Sequence, residues 1–164
     1  MKIFNDGGRS VSPRGSLWIA MLLIMAGLSL PAFASLGGNE SSIEADRAQM
    51  KATLMSNRTD HYTMEEIHHP NGTVIREYLS PAGKVFAITW RGPFIPDMAQ
   101  LLGAYLPQYG EGVKAHHAES AGRRPLNIQQ PTLVVQTSGH MRSFAGKAYD
   151  PTLLPQGVTA SDIR

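Results

Sequence analysis

Residues 61–90 read HYTMEEIHHPNGTVIREYLSPAGKVFAITW, and the pattern of this stretch determines the architecture. Asn71-Gly72 separates two runs of alternating character, and this pair supplies the two positive φ values of a two-residue type I′ hairpin turn. Pro81 and Gly83 mark a second reversal, since proline fixes φ and glycine permits the turn. The last run, KVFAITW, is apolar nearly throughout, as in a strand covered on both faces. The stretch therefore predicts a three-stranded antiparallel meander.

The predicted turn also fixes which side chains share a face of the sheet. With two residues in the turn, Glu66 lies opposite Glu77 on one face, because cross-strand partners share a face. Arg76 and Tyr78 then lie together on the other face.

Capping residues and apolar spacing predict two helices. Ser41 and Glu44 form a capping box, which begins a helix over residues 42–55 with a narrow apolar stripe. Asp97 caps a second helix, and Pro107 ends it because proline cannot donate the next hydrogen bond.

The rest of the chain predicts a flexible connection and a C-terminal hairpin. Residues 110–124 contain few large apolar side chains and are predicted to be a flexible connection, in which residues 113–119 could form a short helix. Residues 133–136 and 143–149 predict two strands joined across Ser138-Gly139, and residues 150–164 predict an extended tail. The predicted class is α+β, an antiparallel sheet (three-stranded meander plus C-terminal hairpin) with helices packed on one face.

The first 34 residues have the three parts of a cleavable export signal. A basic region precedes the uncharged apolar run LWIAMLLIMAGLSL, and Ala32-Phe33-Ala34 supplies a small-residue cleavage site. The apolar run has fourteen residues, fewer than the roughly 20 that a membrane-spanning helix needs. We therefore expect cleavage after Ala34, one mature domain over residues 35–164 with no membrane span, and a location in the periplasm or outside the cell.

The charge of the expected mature chain argues against nucleic acid as a partner. The whole chain has fifteen basic and thirteen acidic residues, and cleavage removes three basic residues and one acidic residue, which leaves twelve of each. Proteins that bind nucleic acid usually carry a strongly basic domain or stripe. The chain has no cysteine, which excludes thiol nucleophiles, thiolate metal sites and disulfides.

The mature region also carries a series of short motifs that belong together. They are Ala34-Ser35-Leu36-Gly37-Gly38, Arg76-Glu77-Tyr78, Ser80-Pro81-Ala82-Gly83, Val85-Phe86-Ala87, Trp90-x-Gly92-Pro93, Pro96-Asp97, Leu101-Leu102-Gly103-x-Tyr105, Gly139-His140-Met141-Arg142-x-Phe144-x-Gly146 and Gly157-Val158. This series resembles the bacterial secreted family known as domain of unknown function 2844, and it covers nearly all of the mature region. The resemblance implies an exported bacterial protein and assigns no activity.

Histidine is the first candidate for chemistry, since all six histidines follow residue 34. Converging imidazoles would suit Zn²⁺ or Cu²⁺, and the candidates are His61, His68, His69 and His140. His68 and His69 are neighbours on a predicted strand, so they point to opposite faces. A periplasmic metal-binding protein is therefore the alternative interpretation, and no cofactor is predicted.

A small hydrolase is the third interpretation. Ser138 close to His140 could supply a nucleophile and a base, and Glu66 facing Glu77 could supply a pair of carboxylates. Residues this close on one strand seldom present nucleophile and base to each other, and the chain contains no G-x-S-x-G elbow. The pattern favours a protein that is not an enzyme.

The leading interpretation is a binding or structural module of the cell envelope. Its candidate ligand-binding residues are Arg76, Tyr78, Trp90 and Arg142, since arginine with aromatic neighbours suits an anionic ligand. The expected partner is an envelope protein or a surface polysaccharide.

Cleavage after Ala34 can be tested on the native product. Mass spectrometry of the protein purified from its own cells is expected to show a chain that begins at Ser35. A chain that begins at Met1 and is recovered from the cytosol would contradict the predicted export.

Overall fold

Seven antiparallel strands form one sheet in the computed structural model, which describes residues 36–39, 43, 53–120 and 125–164. The strands are β1 (Thr53–Arg58), β2 (Thr63–His68), β3 (Val74–Leu79), β4 (Val85–Gly92), β5 (Asn127–Gln130), β6 (Leu133–His140) and β7 (Ser143–Tyr149). Their order across the sheet is β1-β2-β3-β4-β7-β6-β5. The predicted meander of β2, β3 and β4 is present, but β1 extends it to four strands and β5 extends the C-terminal hairpin to three.

The helix predicted over residues 42–55 is wrong at its C-terminal end, where β1 begins at Thr53. Ile43 is helical and buried, and residues 44–52 lie outside the described part of the chain. Leu54, which fitted the helical stripe, lies opposite Ile67 of β2. Pairing along the whole of β2 therefore outweighs a local helical pattern, because each β1 residue gains a cross-strand partner.

The turn between β2 and β3 differs from the predicted type I′ turn. The His69 amide donates to the Thr73 carbonyl at 2.9 Å, and the Gly72 amide donates to the His69 carbonyl at 2.9 Å. Gly72 has a positive φ of 87°, whereas Asn71 uses its side chain to accept from the Thr73 amide at 2.9 Å. This is a longer loop with one left-handed glycine, and Pro70 sets the φ at its start.

The longer loop shifts the register of the hairpin by one residue. Arg76 lies opposite Glu66, and Glu77 lies opposite Glu65. A shift of one residue moves the partner strand's side chains to the opposite faces. The predicted juxtaposition of Glu66 and Glu77 is therefore wrong.

The helical region is longer than predicted. Asp97 caps helix α1 (Met98–Leu102) as predicted, with its carboxylate accepting from the Ala99 amide at 2.8 Å. A 3-10 turn then leads into helix α2 (Leu106–Ser120). Pro107 lies in the first turn of α2, where its missing donor costs nothing, so the prediction that it ends the helix is wrong.

The predicted flexible connection over residues 110–124 is helical as far as Ser120, which includes the short helix considered over residues 113–119, and residues 121–124 lie outside the described part of the chain. The prediction of flexibility failed because α2 packs on the core through only two large apolar side chains, Tyr109 and Val113, together with the close approach of a glycine. A Cβ atom at buried Gly112 would lie only 2.7 Å from the Ile128 side chain of β5.

The hairpin of β6 and β7 turns at Met141 and Arg142, three residues later than the predicted turn at Ser138-Gly139. Gly139 instead permits close approach of the strands, since a Cβ atom there would collide with the Ser143 carbonyl. Arg142 has a φ of 64° and is the non-glycine residue with positive φ in the described chain. This turn position normally favours glycine.

The two faces of the sheet are covered differently. Helices α1 and α2 pack on one face over a core that includes Ile67, Ile75, Ile88, Leu101, Leu102, Ile128 and Val135. Residues 150–164, named the strap here, cross part of the other face, where Val158 and Ile163 are buried against Tyr78 and Phe86. The tail predicted to be extended therefore includes a 3-10 turn, Pro151–Leu153, and supplies a second core.

Because the backbone of Arg142 has a left-handed conformation, we expect its substitution by glycine to raise the stability of the protein. Arg142→Gly relieves a conformation that costs an L-residue roughly 1–2 kcal/mol, and loses about 0.5–1 kcal/mol through backbone entropy. We expect the free energy of unfolding in urea to rise by about 0.5 kcal/mol. The matched control is Arg58→Gly on edge strand β1, where the free energy of unfolding should fall. A lower stability for Arg142→Gly than for the unsubstituted protein would contradict the assignment.

Candidate functional site

A groove of about 700 Å³ lies on the sheet face opposite the helices, beside the end of the strap. Register places one side chain from each of five strands in a row directly across its floor, and these are Glu66, Arg76, Thr89, Lys147 and Gln136. Two residues further along the same strands, a second row consists of His68, Val74, Arg91, Ala145 and Ser138. We call these the first and second polar rows.

The neighbouring row on the other side of the first polar row is largely apolar. It consists of Met64, Tyr78, Ala87, Tyr149 and Val134. Val158 and Ile163 of the strap cover the centre of this row. Because the strap covers the apolar row, the open part of this face is the part that carries polar and charged side chains.

Basic side chains outnumber acidic ones in the groove. Arg76, Arg91, Lys147 and Arg164 line it, and Glu66 is the carboxylate among its lining residues. An excess of positive charge in a concave surface raises the local concentration of anions. The arrangement therefore suits a negatively charged ligand.

Glu66 is held by two neighbours. Its carboxylate oxygens lie 2.5 Å from Arg76 Nε and 2.6 Å from His68 Nε2. The hydrogen bond from Arg76, helped by that from His68, lowers the pKa of Glu66 against the opposing effect of burial. Glu66 is therefore ionised at neutral pH, and it orients the guanidinium of Arg76 toward the strap.

The other basic side chains of the groove differ in whether they already contact groups of the protein. Lys147 Nζ donates to the main-chain carbonyl of Ala160 in the strap at 2.8 Å and lies 5.9 Å from the ring centroid of Tyr149. Arg91 is exposed, and its side chain makes no hydrogen bond or ion pair within the described residues. Arg91 is thus the cation of the groove that can engage a ligand at no cost to an existing contact.

The end of the strap contacts the first polar row. The main-chain oxygen of Arg164 accepts from Tyr78 Oη at 2.5 Å, from Arg76 Nη1 at 3.3 Å and from Thr89 Oγ1 at 3.4 Å. Three donors from two neighbouring strands therefore converge on a single oxygen atom.

A second groove of about 570 Å³ lies on the helix side, between α2 and the ends of β6 and β7. Tyr109, Val113, Phe144 and the paired rings of His116 and His117 contribute to its lining. This groove is mainly apolar and lacks the cations of the first groove.

The structure separates the four predicted ligand-binding residues. Arg76 lies in the first polar row. Tyr78 is 3% exposed beneath the strap and presents only its hydroxyl to Arg164. Trp90 is buried, and its ring would collide with a Cβ atom at Gly146. Arg142 lies at the tip of the β6–β7 hairpin, outside the groove lining.

The four candidate metal-binding histidines have different surroundings. His68 contacts Glu66, His69 accepts from the Asn71 amide in the turn, and His140 is exposed near a hairpin end. His61 lies beside Gly157 of the strap. Among the described residues, no three side chains of the metal-ligating types form a group that could hold a metal ion.

Lys147, Thr89 and Gln136 were missed by the sequence interpretation. Alternation within β4 and β7 could have placed Thr89 with Arg91, and Ala145 with Lys147, on common faces. Nothing local indicates that β7 pairs with β4, so the row that joins them could not be read from the sequence.

Comparison with known proteins identifies a family for this chain but does not assign an activity. Neither curated proteins nor solved structures include a match to this chain. No helix in the described residues is long and apolar enough to cross a membrane. The model of one family, described as Protein of unknown function (DUF2844), matches residues 32–163. Because this match spans most of the sequence, the chain belongs to that family.

Proposed function

We propose that this protein is exported and binds an acidic polysaccharide of the cell surface, without catalysing a reaction. The observation that carries the proposal is the groove formed by the two polar rows and the end of the strap, whose lining has four arginine or lysine side chains and one acidic side chain. Export rests on the basic region, apolar run and Ala32-Phe33-Ala34 triplet of the first 34 residues.

The spacing of the cations suits a polymer with repeated carboxylates. Arg76 and Lys147 lie in one row with Thr89 between them, so their strands are two strand spacings, roughly 10 Å, apart. Arg91 lies one row further on, beside Val74. Charge-assisted hydrogen bonds from arginine and lysine to carboxylates are stronger than neutral ones. The three basic side chains would therefore bind the carboxylates of successive sugar units.

The uncharged lining favours a sugar over a peptide. Thr89, Gln136 and Ser138 carry hydroxyl or amide groups that both donate and accept, which suits the hydroxyl groups of a sugar. The floor consists of β3, β4, β7 and their neighbours, whose backbone groups are already paired. A peptide therefore cannot add a strand there, which is the usual source of affinity for extended peptides.

Arg91→Ala tests the proposal at the cation that has no other described partner. We expect trigalacturonate, a short acidic sugar chain, to bind the mature protein and maltotriose, its neutral counterpart, not to bind. Loss of Arg91 should weaken trigalacturonate binding about tenfold, as expected for one charge-assisted hydrogen bond. Isothermal titration calorimetry at low and high salt would measure both affinities, and the difference should shrink at high salt.

Arg58→Ala is the matched control, because it removes an exposed arginine from β1, outside the groove. Its trigalacturonate affinity should equal that of the unsubstituted protein. Equal affinities for trigalacturonate and maltotriose would overturn the proposal. Tighter binding of a polyglutamate peptide than of trigalacturonate would replace the sugar by an acidic protein segment.

A further inference from the structure

We propose that the end of the strap occupies the subsite for the ligand's carboxylate, so that the groove is autoinhibited until residues 160–164 lift away. This inference rests on the proposed function and adds to it the residues that bind the carboxylate and a contact that regulates them. The observation is the convergence of Arg76, Tyr78 and Thr89 on the Arg164 main-chain oxygen.

The three donors form a site that needs an acceptor. Tyr78 is 3% exposed and Thr89 is 7% exposed, so water has little access to their hydroxyl groups while the strap is in place. Buried donors that lose their acceptor are costly. A ligand carboxylate can replace the Arg164 oxygen as the acceptor for all three donors. The exchange therefore leaves none of these donors without an acceptor.

The part of the strap that must move is short and has few attachments. Ile163 is its buried side chain, and Val158 anchors the preceding part of the strap separately. Lys147 holds the Ala160 carbonyl at 2.8 Å. Lifting the end of the strap would release Lys147 as well as the three donors, so two cations of the first polar row become available together.

Hydrogen bonds between Thr159 and Asp162 form a turn on the solvent-exposed side of this segment. The Asp162 carboxylate accepts from the Thr159 amide at 2.8 Å and from the Thr159 hydroxyl at 2.7 Å. Thr159 and Asp162 are both exposed, so this turn can be weakened without a change in the core. Thr159→Val removes the hydroxyl at constant charge.

Ile163→Ser tests the autoinhibition, because it weakens the buried contact of the strap end and leaves the groove's charges unchanged. We expect trigalacturonate to bind this variant about tenfold more tightly than the unsubstituted protein. Thr159→Val should bind about threefold more tightly by the same mechanism. Leu153→Ser, at the start of the strap, is the matched control and should bind with unchanged affinity.

Tyr78→Phe distinguishes displacement of the strap from a general loosening of the fold. In the unsubstituted protein this change weakens both the strap contact and the ligand contact, so the trigalacturonate affinity should change little. In the Ile163→Ser background the hydroxyl serves the ligand alone, and Tyr78→Phe should weaken binding about tenfold. Equal effects of Tyr78→Phe in the two backgrounds would overturn the inference.

The outcomes separate this inference from the proposed function. If the unsubstituted protein binds trigalacturonate and both Ile163→Ser and Thr159→Val bind it no more tightly, the strap does not inhibit binding and the proposed function stands. If neither the unsubstituted protein nor the two strap variants bind it, the proposed function fails and the inference fails with it. Near-ultraviolet circular dichroism of each variant would confirm that the fold is retained.

Discussion

Pairing of β4 on both of its edges is the constraint on which the rest of the structure depends. Its residues 85–90 are all buried, and it joins the N-terminal meander to the C-terminal strands through β3 and β7. The register on its two sides places Arg76, Thr89 and Lys147 in one line. The groove therefore exists because two parts of the chain that are distant in sequence meet at the same strand.

The face opposite the helices combines stability with an open binding surface. One row is apolar and lies under the strap, the first polar row contacts the end of the strap, and the second polar row stays open. Burial of Val158 and Ile163 contributes a second core at the boundary between the covered and the open rows. Because Ile163 of the second core is followed directly by Arg164, which contacts Arg76 and Thr89, the packing of the second core is connected to the first polar row. Packing and ligand access are thus linked through the same few residues of the strap.

The sequence predicted the elements whose signals are local. The alternation in β2 and β3, the apolar β4 and the Asp97 cap all appear in the structure. Of α2 it indicated only a short helix over residues 113–119, because Gly112 replaces a large apolar side chain at the contact with Ile128. In the first polar row Arg76 was predicted as a ligand-binding residue, whereas Thr89, Lys147 and Gln136 were not. These three come from β4, β7 and β6, and pairing between distant strands leaves no mark in a local pattern. The prediction from Asn71-Gly72 failed because one glycine, rather than two left-handed residues, makes the turn.

The tripeptide Arg76-Glu77-Tyr78 shows why the register of β3 determines both the core and the groove. Arg76 and Tyr78 point to the strap side, whereas Glu77 is fully buried on the helix side, opposite Glu65. If β3 slipped by one residue, Arg76 would enter the core and Glu77 would enter the groove, which would reverse the charge at the carboxylate subsite. The loop over residues 69–73 opposes that slip through its hydrogen bonds and Gly72. A turn that lies beside the binding surface therefore controls its charge, by fixing which side chains reach it.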